Sequence, residues 1–206
     1  MDNKKVFIST IIAIVTLIIM TFGATYAYFT VTSNKNFGTR VIEATTPDYG
    51  SVVLSTGSNL YLHLARTDMT QTAAGTSGKT YYAITDEVGT PSSDSTPISI
   101  GTAEVTGTGT FRCNYSLIVQ ASGTMKDALT SEGHAILTVN ETDYDVYSTN
   151  FPIKITGNMT GLKEGISQNI DAQFRFINTA SSQDNLKNSD ITLTFTAESF
   201  RCVVTD

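Results

Sequence analysis

The sequence FRCNYSLIV, at residues 111–119, decides the fold class because its apolar residues fall at every second position. Successive side chains of a β-strand point to opposite faces of the sheet, so this alternation predicts a long strand with one buried face. The residues on that face are Phe111, Cys113, Tyr115, Leu117 and Val119.

The same period-2 alternation recurs on both sides of this stretch, at Leu60–Leu64, Ala172–Phe176 and Ile191–Ala197. Further strands are predicted at Ser51–Ser55, Thr80–Thr85, Ile98–Thr106, Ile136–Val139 and Phe151–Thr156. Turns are predicted at Thr56–Ser58, Gly75–Gly78, Gly89–Pro97, Gly107–Gly109 and Gly157–Asn158. Helix signal is weak and is confined to Thr124–Ser131 and one turn within Arg66–Ala74. Many short strands with one apolar face predict an all-β, antiparallel sandwich that is jelly-roll-like, although periodicity alone leaves an immunoglobulin-like strand order open.

The last predicted strand changes its buried face part of the way along. Apolar residues occupy odd positions up to Ala197 and even positions from Phe200 through Cys202 to Val204. A slip of one residue turns every following side chain to the other face. A β-bulge near Glu198-Ser199 would restore the inward direction.

The chain has two cysteines, Cys113 and Cys202, and the bulge would let both face the core. An even pair in an exported chain predicts one disulfide, with two buried thiols as the alternative. Such a bridge would close a loop of about 90 residues, for which chain entropy predicts roughly 4–5 kcal/mol of stabilisation. A metal site made of two distant cysteines with no neighbouring histidine is not expected.

The N-terminus has the layout of a secretory signal. Lys4 and Lys5 precede an apolar run, Val6–Phe22, which is followed by the small-residue patch Gly23–Ala27. We therefore expect an N-terminal apolar signal helix. Cleavage is expected after Ala27, with Thr25 at the −3 position and Tyr28 as the first mature residue.

If cleavage does not occur, Val6–Phe29 is long enough to anchor the chain, since a bilayer needs roughly 20 apolar residues. The expected organisation is a signal peptide or uncleaved membrane anchor at 1–27, an extended segment at 28–45 and a β-sandwich domain at 46–206. The domain is thus secreted to the extracellular matrix or cell surface, or membrane-anchored if the leader is retained.

The charge balance argues against nucleic acid as a partner. The chain has 13 basic and 19 acidic residues; its first 27 residues hold two lysines and one aspartate, which leaves 11 and 18 and a formal net charge of −7. An acidic domain repels phosphate backbones and anionic headgroups.

Motifs for catalysis are missing from the sequence. His63 and His134 are isolated in the sequence, and neither a His-Glu-x-x-His motif nor a Gly-x-Ser-x-Gly elbow occurs. We therefore predict no enzymatic activity, no cofactor and no catalytic or metal-binding residue. Alternating carboxylates at Glu141, Asp143 and Asp145 are interpreted as a solvated face, with a Ca²⁺ site as the minor alternative.

The segment Gly23–Thr30, which contains Ala-Tyr-Phe-Thr, resembles the leader end of the TasA/camelysin-type secreted biofilm matrix fibre proteins of Gram-positive bacteria. The resemblance implies a fibre-forming matrix subunit with a jelly-roll fold, processed by a dedicated signal peptidase. It also implies that the mature N-terminus becomes a donor strand for the next copy, in a head-to-tail homopolymer with an accessory or anchoring subunit as a further partner. The residues that match this role are Tyr28, Phe29, Thr30, Val31 and Thr32.

We expect a structural fibre subunit, and two other functions remain open. The first is a monomeric surface-displayed binding or adhesion module, in which Tyr144 and Tyr147 would stack on glycans. The second is a secreted metallopeptidase, an activity described for camelysin-type members, which is disfavoured because no zinc-ligand motif is present. A plain first strand paired within its own domain is the alternative to strand donation.

Overall fold

The structure is a computed structural model that describes residues 41–46, 49–65, 79–85, 92–130, 134–178 and 183–205. Within these ranges the chain forms eleven β-strands, two single 3₁₀ turns at Lys126–Ala128 and Asp184–Leu186, and no α-helix. The strands are β1 Val41–Thr46, β2 Gly50–Thr56, β3 Leu60–Leu64, β4 Thr80–Tyr82, β5 Ile98–Thr106, β6 Phe111–Ser122, β7 Ala135–Val139, β8 Thr142–Asp145, β9 Ile153–Leu162, β10 Gln168–Ile177 and β11 Ser189–Val204.

The strands form two antiparallel sheets. The seven-stranded sheet has the order β1-β2-β5-β10-β7-β8, with β4 also paired to β10, and the four-stranded sheet has the order β3-β11-β6-β9. Buried residues of both sheets belong to a single hydrophobic core. The predicted all-β class with antiparallel strands is therefore confirmed.

The alternating patterns identified the inward-facing residues correctly. All five inward positions of the 111–119 stretch are buried, and so are the three leucines of β3. The predicted inward residues of β10 and β11 are buried as well, except Val204 at the end of β11, which is partly buried. Burial of apolar surface is the main favourable term in folding, and it requires one face of each strand to be apolar. The predicted bulge is also confirmed, because the pairing of β11 with β6 shifts register between Ala197 and Ser199.

The predicted turn at Gly157–Asn158 is wrong, because both residues lie inside β9. Gly157 lies directly opposite Tyr115 of β6. A Cβ atom on Gly157 would stand 2.3 Å from the Tyr115 hydroxyl oxygen, so this glycine makes room for the tyrosine ring. Asn140 completes the arrangement by donating a hydrogen bond of 2.9 Å to that oxygen.

The predicted helix at Thr124–Ser131 is also wrong in extent. Hydrogen bonds to β11 and to the loop after β8 hold the segment, because the Met125 N–H donates to the Asp190 carbonyl and the Ser148 N–H donates to the Leu129 carbonyl. Only one 3₁₀ turn fits between these anchors, although Met125 and Leu129 are buried as expected.

Two other predicted segments are only partly seen. The strand predicted at Thr80–Thr85 ends at Tyr82, after which Ile84 forms an isolated bridge with Tyr61. The turn predicted within Arg66–Ala74 and the loop at Gly75–Gly78 lie outside the described residues.

Candidate assembly interface

The two halves of β11 have different neighbours. Ser189–Leu193, the lower half, pairs with β3 on one side, while the other side faces β6 and the segment that follows it. Thr194–Val204, the upper half, pairs with β6 only. In the described part of the chain, the second side of this upper half has no strand partner.

The open side exists because the chain changes sheets after β2. β2 pairs with β5 of the seven-stranded sheet, whereas β3 pairs with the lower half of β11 in the other sheet. The Gly57 N–H donates to the Ile100 carbonyl at this crossing. A strand that stayed in the four-stranded sheet would have covered the upper half of β11.

The direction of the open backbone groups follows from the cysteine pair. Cys113 and Cys202 lie directly opposite each other on β6 and β11, with their Cα atoms 4.0 Å apart. Opposite residues this close form the pair that exchanges no backbone hydrogen bonds. The N–H and C=O of Cys202 therefore point away from β6, and by alternation so do those of Phe200 and Val204.

Below the bulge, Asp190 sets the direction. Its N–H donates to the Thr124 hydroxyl and its carbonyl accepts from the Met125 N–H, and both partners follow β6 in the chain. Backbone direction alternates along a strand, so the N–H and C=O groups of Thr194 and Thr196 also point toward β6. Those of Phe195 and Ala197 point away from β6. Among the described residues, no strand pairs with the N–H and C=O groups that the upper half directs away from β6, at Phe195, Ala197, Phe200, Cys202 and Val204.

A disulfide joins Cys113 and Cys202 within this half. Both cysteines are fully buried, and 89 positions separate them in the sequence. The bridge ties the upper half of β11 to its one neighbouring strand. An edge strand with unpaired N–H and C=O groups is a template for another strand, and here the template is covalently held in place.

β1 and β2 lie near β11 without pairing to it. Residues 41–45, the end of the segment predicted at 28–45, belong to β1 and pair with β2 of the same chain. The predicted cleavage residues Thr25, Ala27 and Tyr28, and the predicted donor residues Tyr28–Thr32, lie outside the described residues.

Two other strands, β8 and β9, also lie at sheet edges. β8 is four residues long. β9 is longer, but Gly161 near its end has a φ of 69°, which interrupts the regular extended edge. The upper half of β11 is eleven residues long with one strand neighbour among the described residues, and the bulge divides it into Thr194–Ala197 and Ser199–Val204.

A polar contact fixes the bulge in β11. The Glu198 carboxylate accepts a hydrogen bond from the Ser116 hydroxyl at 2.7 Å and pairs with the Lys154 ammonium at 2.6 Å. The hydrogen bond from Lys154 is the first cause, and that from Ser116 the second, of a Glu198 pKa below its ordinary value. These contacts connect β11, β6 and β9 across the outer face of the four-stranded sheet.

The acidic residues predicted as a solvated face lie at the hairpin of β7 and β8. Asn140 and Glu141 form its turn with φ angles of 44° and 67°. Asp143 accepts from the Thr138 hydroxyl and forms an ion pair with Arg175 at 3.0 Å. The Thr138 hydrogen bond is the main cause of an Asp143 pKa below its ordinary value.

Glu141, Asp143 and Asp145 are all exposed at this hairpin. In the described ranges, no three His, Cys, Asp or Glu side chains are grouped closely enough to hold a metal ion.

The remaining residues singled out from the sequence are distributed over the domain. His63 is half-buried on β3, and His134 precedes β7. Tyr144 and Tyr147 are partly buried and pack against the core.

Comparison with protein-family models, with curated proteins and with solved structures finds no match for this chain. Within the residues that the structure describes, no helix is long and apolar enough to cross a membrane. The function is therefore inferred from the sequence of the chain and from the geometry of its sheets.

Proposed function

We propose that this chain is a secreted structural subunit of extracellular fibres, in which the N-terminal segment of one copy pairs with the upper half of β11 in the next copy. The observation that supports this proposal is the one-sided pairing of Thr194–Val204. Addition of an extended segment to such an edge satisfies the open backbone groups, and the apolar core beneath supplies further contacts.

The strand order supports a jelly-roll-like sandwich as the subunit. Taken in chain order, β3 and β5 to β11 are eight strands. In one sheet the order β3-β11-β6-β9 corresponds to the first, eighth, third and sixth of these strands. In the other sheet the order β5-β10-β7-β8 corresponds to the second, seventh, fourth and fifth. This is the double Greek-key order of a jelly roll. The hairpin of β1 and β2 extends the second of these sheets beside β5.

Strand lengths favour a particular acceptor stretch. The bulge divides the open groups of the upper half into Phe195 and Ala197 below it and Phe200, Cys202 and Val204 above it. The stretch Phe200–Val204 has five residues, the same number as Tyr28–Thr32. We place the donor strand there, next to the disulfide.

Chain direction favours a head-to-tail arrangement. We call one end of the domain the upper end. It holds the connections β1–β2 and β5–β6 and the last residue of β11, because Thr46 pairs with Gly50 and Phe111 pairs with Val204. β1 runs toward this end, so Val41, at the start of β1, is the β1 residue nearest the lower end. The donor and acceptor then lie at opposite ends, which gives a contact that does not close on itself and produces filaments.

Export explains how such a subunit is kept monomeric inside the cell. The apolar leader predicted at residues 1–27 would direct secretion, and a dedicated signal peptidase would free Tyr28 only after export. A disulfide between Cys113 and Cys202 suits an oxidising compartment. The partner is then the chain itself, together with an accessory or anchoring subunit on the cell surface.

The experiment is electron microscopy of the full chain, expressed with its leader in an exporting bacterial host and collected outside the cells. We expect regular filaments from the natural chain and folded monomers from a variant that lacks Tyr28–Asn36. A matched control replaces the same nine residues with glycine and serine, which keeps the length but removes the apolar side chains. Dispersed particles from the natural chain would favour the monomeric surface module, and normal filaments from the deletion would exclude strand donation.

A further inference from the structure

The outer face formed by β6, β9 and the upper half of β11 is positively charged. The charged side chains of these three stretches sum to a formal charge of +2, and they are Arg112, Lys154, Glu198 and Arg201. The whole chain has a formal net charge of −6. A locally basic surface on an acidic protein attracts ligands that carry negative charge.

Two of the three cations have no counterion in the described part of the chain. The Lys154 ammonium pairs with the Glu198 carboxylate at 2.6 Å, but neither Arg112 nor Arg201 forms an ion pair or a side-chain hydrogen bond there. Both arginines are exposed. Arg201 lies opposite Asn114, two residues after Arg112 on the same face of β6, so the two arginines are diagonal neighbours. Such neighbours are about 7–8 Å apart, within reach of long side chains.

An open groove of about 530 Å³ lies beside Arg201 on this face. Sites for small ligands have volumes of this order. Two rows of polar residues cross β11, β6 and β9 in the groove: Arg201, Asn114 and Asn158 in one row, and Ser199, Ser116 and Thr156 in the next. Asn114 and Asn158 lie opposite each other and are both exposed. An asparagine amide offers hydrogen-bond donors and an acceptor, as a hydroxyl group does.

The side chains of the groove suit a ligand that has both carboxylates and hydroxyl groups. A guanidinium binds a carboxylate through two parallel N–H donors. Amides and hydroxyls match the hydroxyl groups of a sugar, each of which donates and accepts. Interfaces with proteins are enriched in aromatic residues and methionine, whereas the exposed side chains that line this groove are all polar. The chemistry therefore favours an acidic polysaccharide over an acidic protein.

We propose that this groove binds a polysaccharide that carries carboxylate groups. Arg112 and Arg201 hold the carboxylates, while Asn114 and Asn158 contact the sugar hydroxyls. This site goes beyond the proposed function and does not depend on it. A donor strand at Phe200–Val204 would extend the sheet at its edge and leave the outer face uncovered, so monomers and fibres would both bind the polysaccharide.

The test measures binding of the full exported chain to immobilised polygalacturonate, with dextran as a neutral polysaccharide and polyglutamate as an acidic peptide. We expect the natural chain to bind polygalacturonate and to bind the other two polymers at least about tenfold more weakly. In Arg112→Gln with Arg201→Gln, the dissociation constant for polygalacturonate should rise about tenfold or more, because charge-assisted hydrogen bonds are lost. The melting temperature should stay close to that of the natural chain, since both side chains are exposed.

The matched control is Lys79→Gln with Lys126→Gln, which removes the same charge outside this face and should leave binding close to that of the natural chain. Unchanged affinity of the folded arginine variant would overturn the proposal. Equal affinity of the natural chain for polyglutamate, or no binding to polygalacturonate, would overturn it as well.

None of these outcomes decides strand donation, which electron microscopy of the same samples tests separately. Should the double arginine variant fold poorly, the single variant Arg201→Gln replaces it. For this variant we expect about a threefold rise in the dissociation constant, and no rise would likewise overturn the proposal.

Discussion

The lower and upper halves of β11 belong to one strand with one side-chain pattern, yet they differ in their neighbours. Ser189–Leu193 has β3 on one side and the β6 side on the other, whereas Thr194–Val204 pairs with β6 alone among the strands that the structure describes. Both halves bury alternate apolar residues in the same core. Burial therefore determines which way the side chains point, while the path of β2 and β3 determines how many strand neighbours the backbone has.

The halves also differ in what holds them in the sheet. The lower half has hydrogen-bonding partners on both sides. The upper half has one strand partner, the buried disulfide to Cys113 and the contact of Glu198 with Ser116 and Lys154. We infer that these contacts keep the upper half extended so that it can receive a donor strand.

The largest expected effect is the loss of the disulfide. In the double variant Cys113→Ser and Cys202→Ser, the free energy of unfolding should fall by roughly 4–5 kcal/mol, because the unfolded chain regains the freedom of a long loop. Thermal unfolding measures the loss, and a reductant should lower the melting temperature of the natural chain but not that of the variant. Hydrogen exchange should increase mainly in Phe200–Val204. Equal increases in both halves of β11 would contradict the proposed role of the disulfide.

The next effect concerns the row that Phe200, Tyr115 and Gly157 form across β11, β6 and β9. In Gly157→Ala, the added Cβ meets the Tyr115 ring, and overpacking of this kind costs roughly 1–3 kcal/mol. Chemical denaturation measures the change. The double variant Gly157→Ala with Tyr115→Leu should lose less than the sum of the two single variants. Strict additivity would show that the glycine is not present to accommodate the tyrosine.

Proline substitutions test which backbone N–H groups of the upper half face β6 and which face the open side. Thr196→Pro removes an N–H that faces β6, so it should destabilise the domain by about 1 kcal/mol or more. Ala197→Pro removes an N–H on the open side, so its melting temperature should stay closer to that of the natural chain.

In the proposed fibre, the open side receives the donor strand. The donor strand is proposed to pair with Phe200–Val204, above the bulge, so Ala197→Pro should also leave filament growth close to that of the natural chain, and microscopy together with thermal unfolding checks both expectations. Equal destabilisation by both prolines would mean that the assigned directions of the backbone groups are wrong.

The smallest effect is the contribution of Glu198 to stability across pH. Its pKa is lowered in the folded chain, so the stabilisation is present above the ordinary pKa of 4.5 and disappears as the pH falls through the lower folded value. The natural chain should thus melt slightly higher than Glu198→Gln at about pH 7, with the difference gone near pH 2. A difference that persists at the lower pH would mean that the charge of Glu198 does not act through Lys154.

The sequence predicted most strands and their inward residues because the need to bury one apolar face leaves a period of two. Even the bulge after Ala197 was predictable, since the apolar positions change parity there. Gly157 was misleading because glycine is common in turns but also occurs where a large neighbouring side chain needs space. That reason is visible only when Tyr115 is known to lie opposite.

The candidate interface was only partly predictable. The leader motif and the β-prone segment after it suggested a donor strand, but these residues are outside the described part of the chain. The sequence of Thr194–Val204 does not show that this stretch is an edge. Whether it has a second strand neighbour depends on where the chain changes sheets after β2, more than a hundred residues earlier.

Residue-resolved hydrogen exchange of β11 in monomers and in filaments measures whether the open side of the upper half receives a strand. If it does, filament formation should protect the amides that face the open side above the bulge, at Phe200, Cys202 and Val204. The amides of Arg201 and Val203, which face β6, should already be protected in the monomer and change little. If all of these amides exchange in the filament as they do in the monomer, the upper half of β11 does not receive a strand.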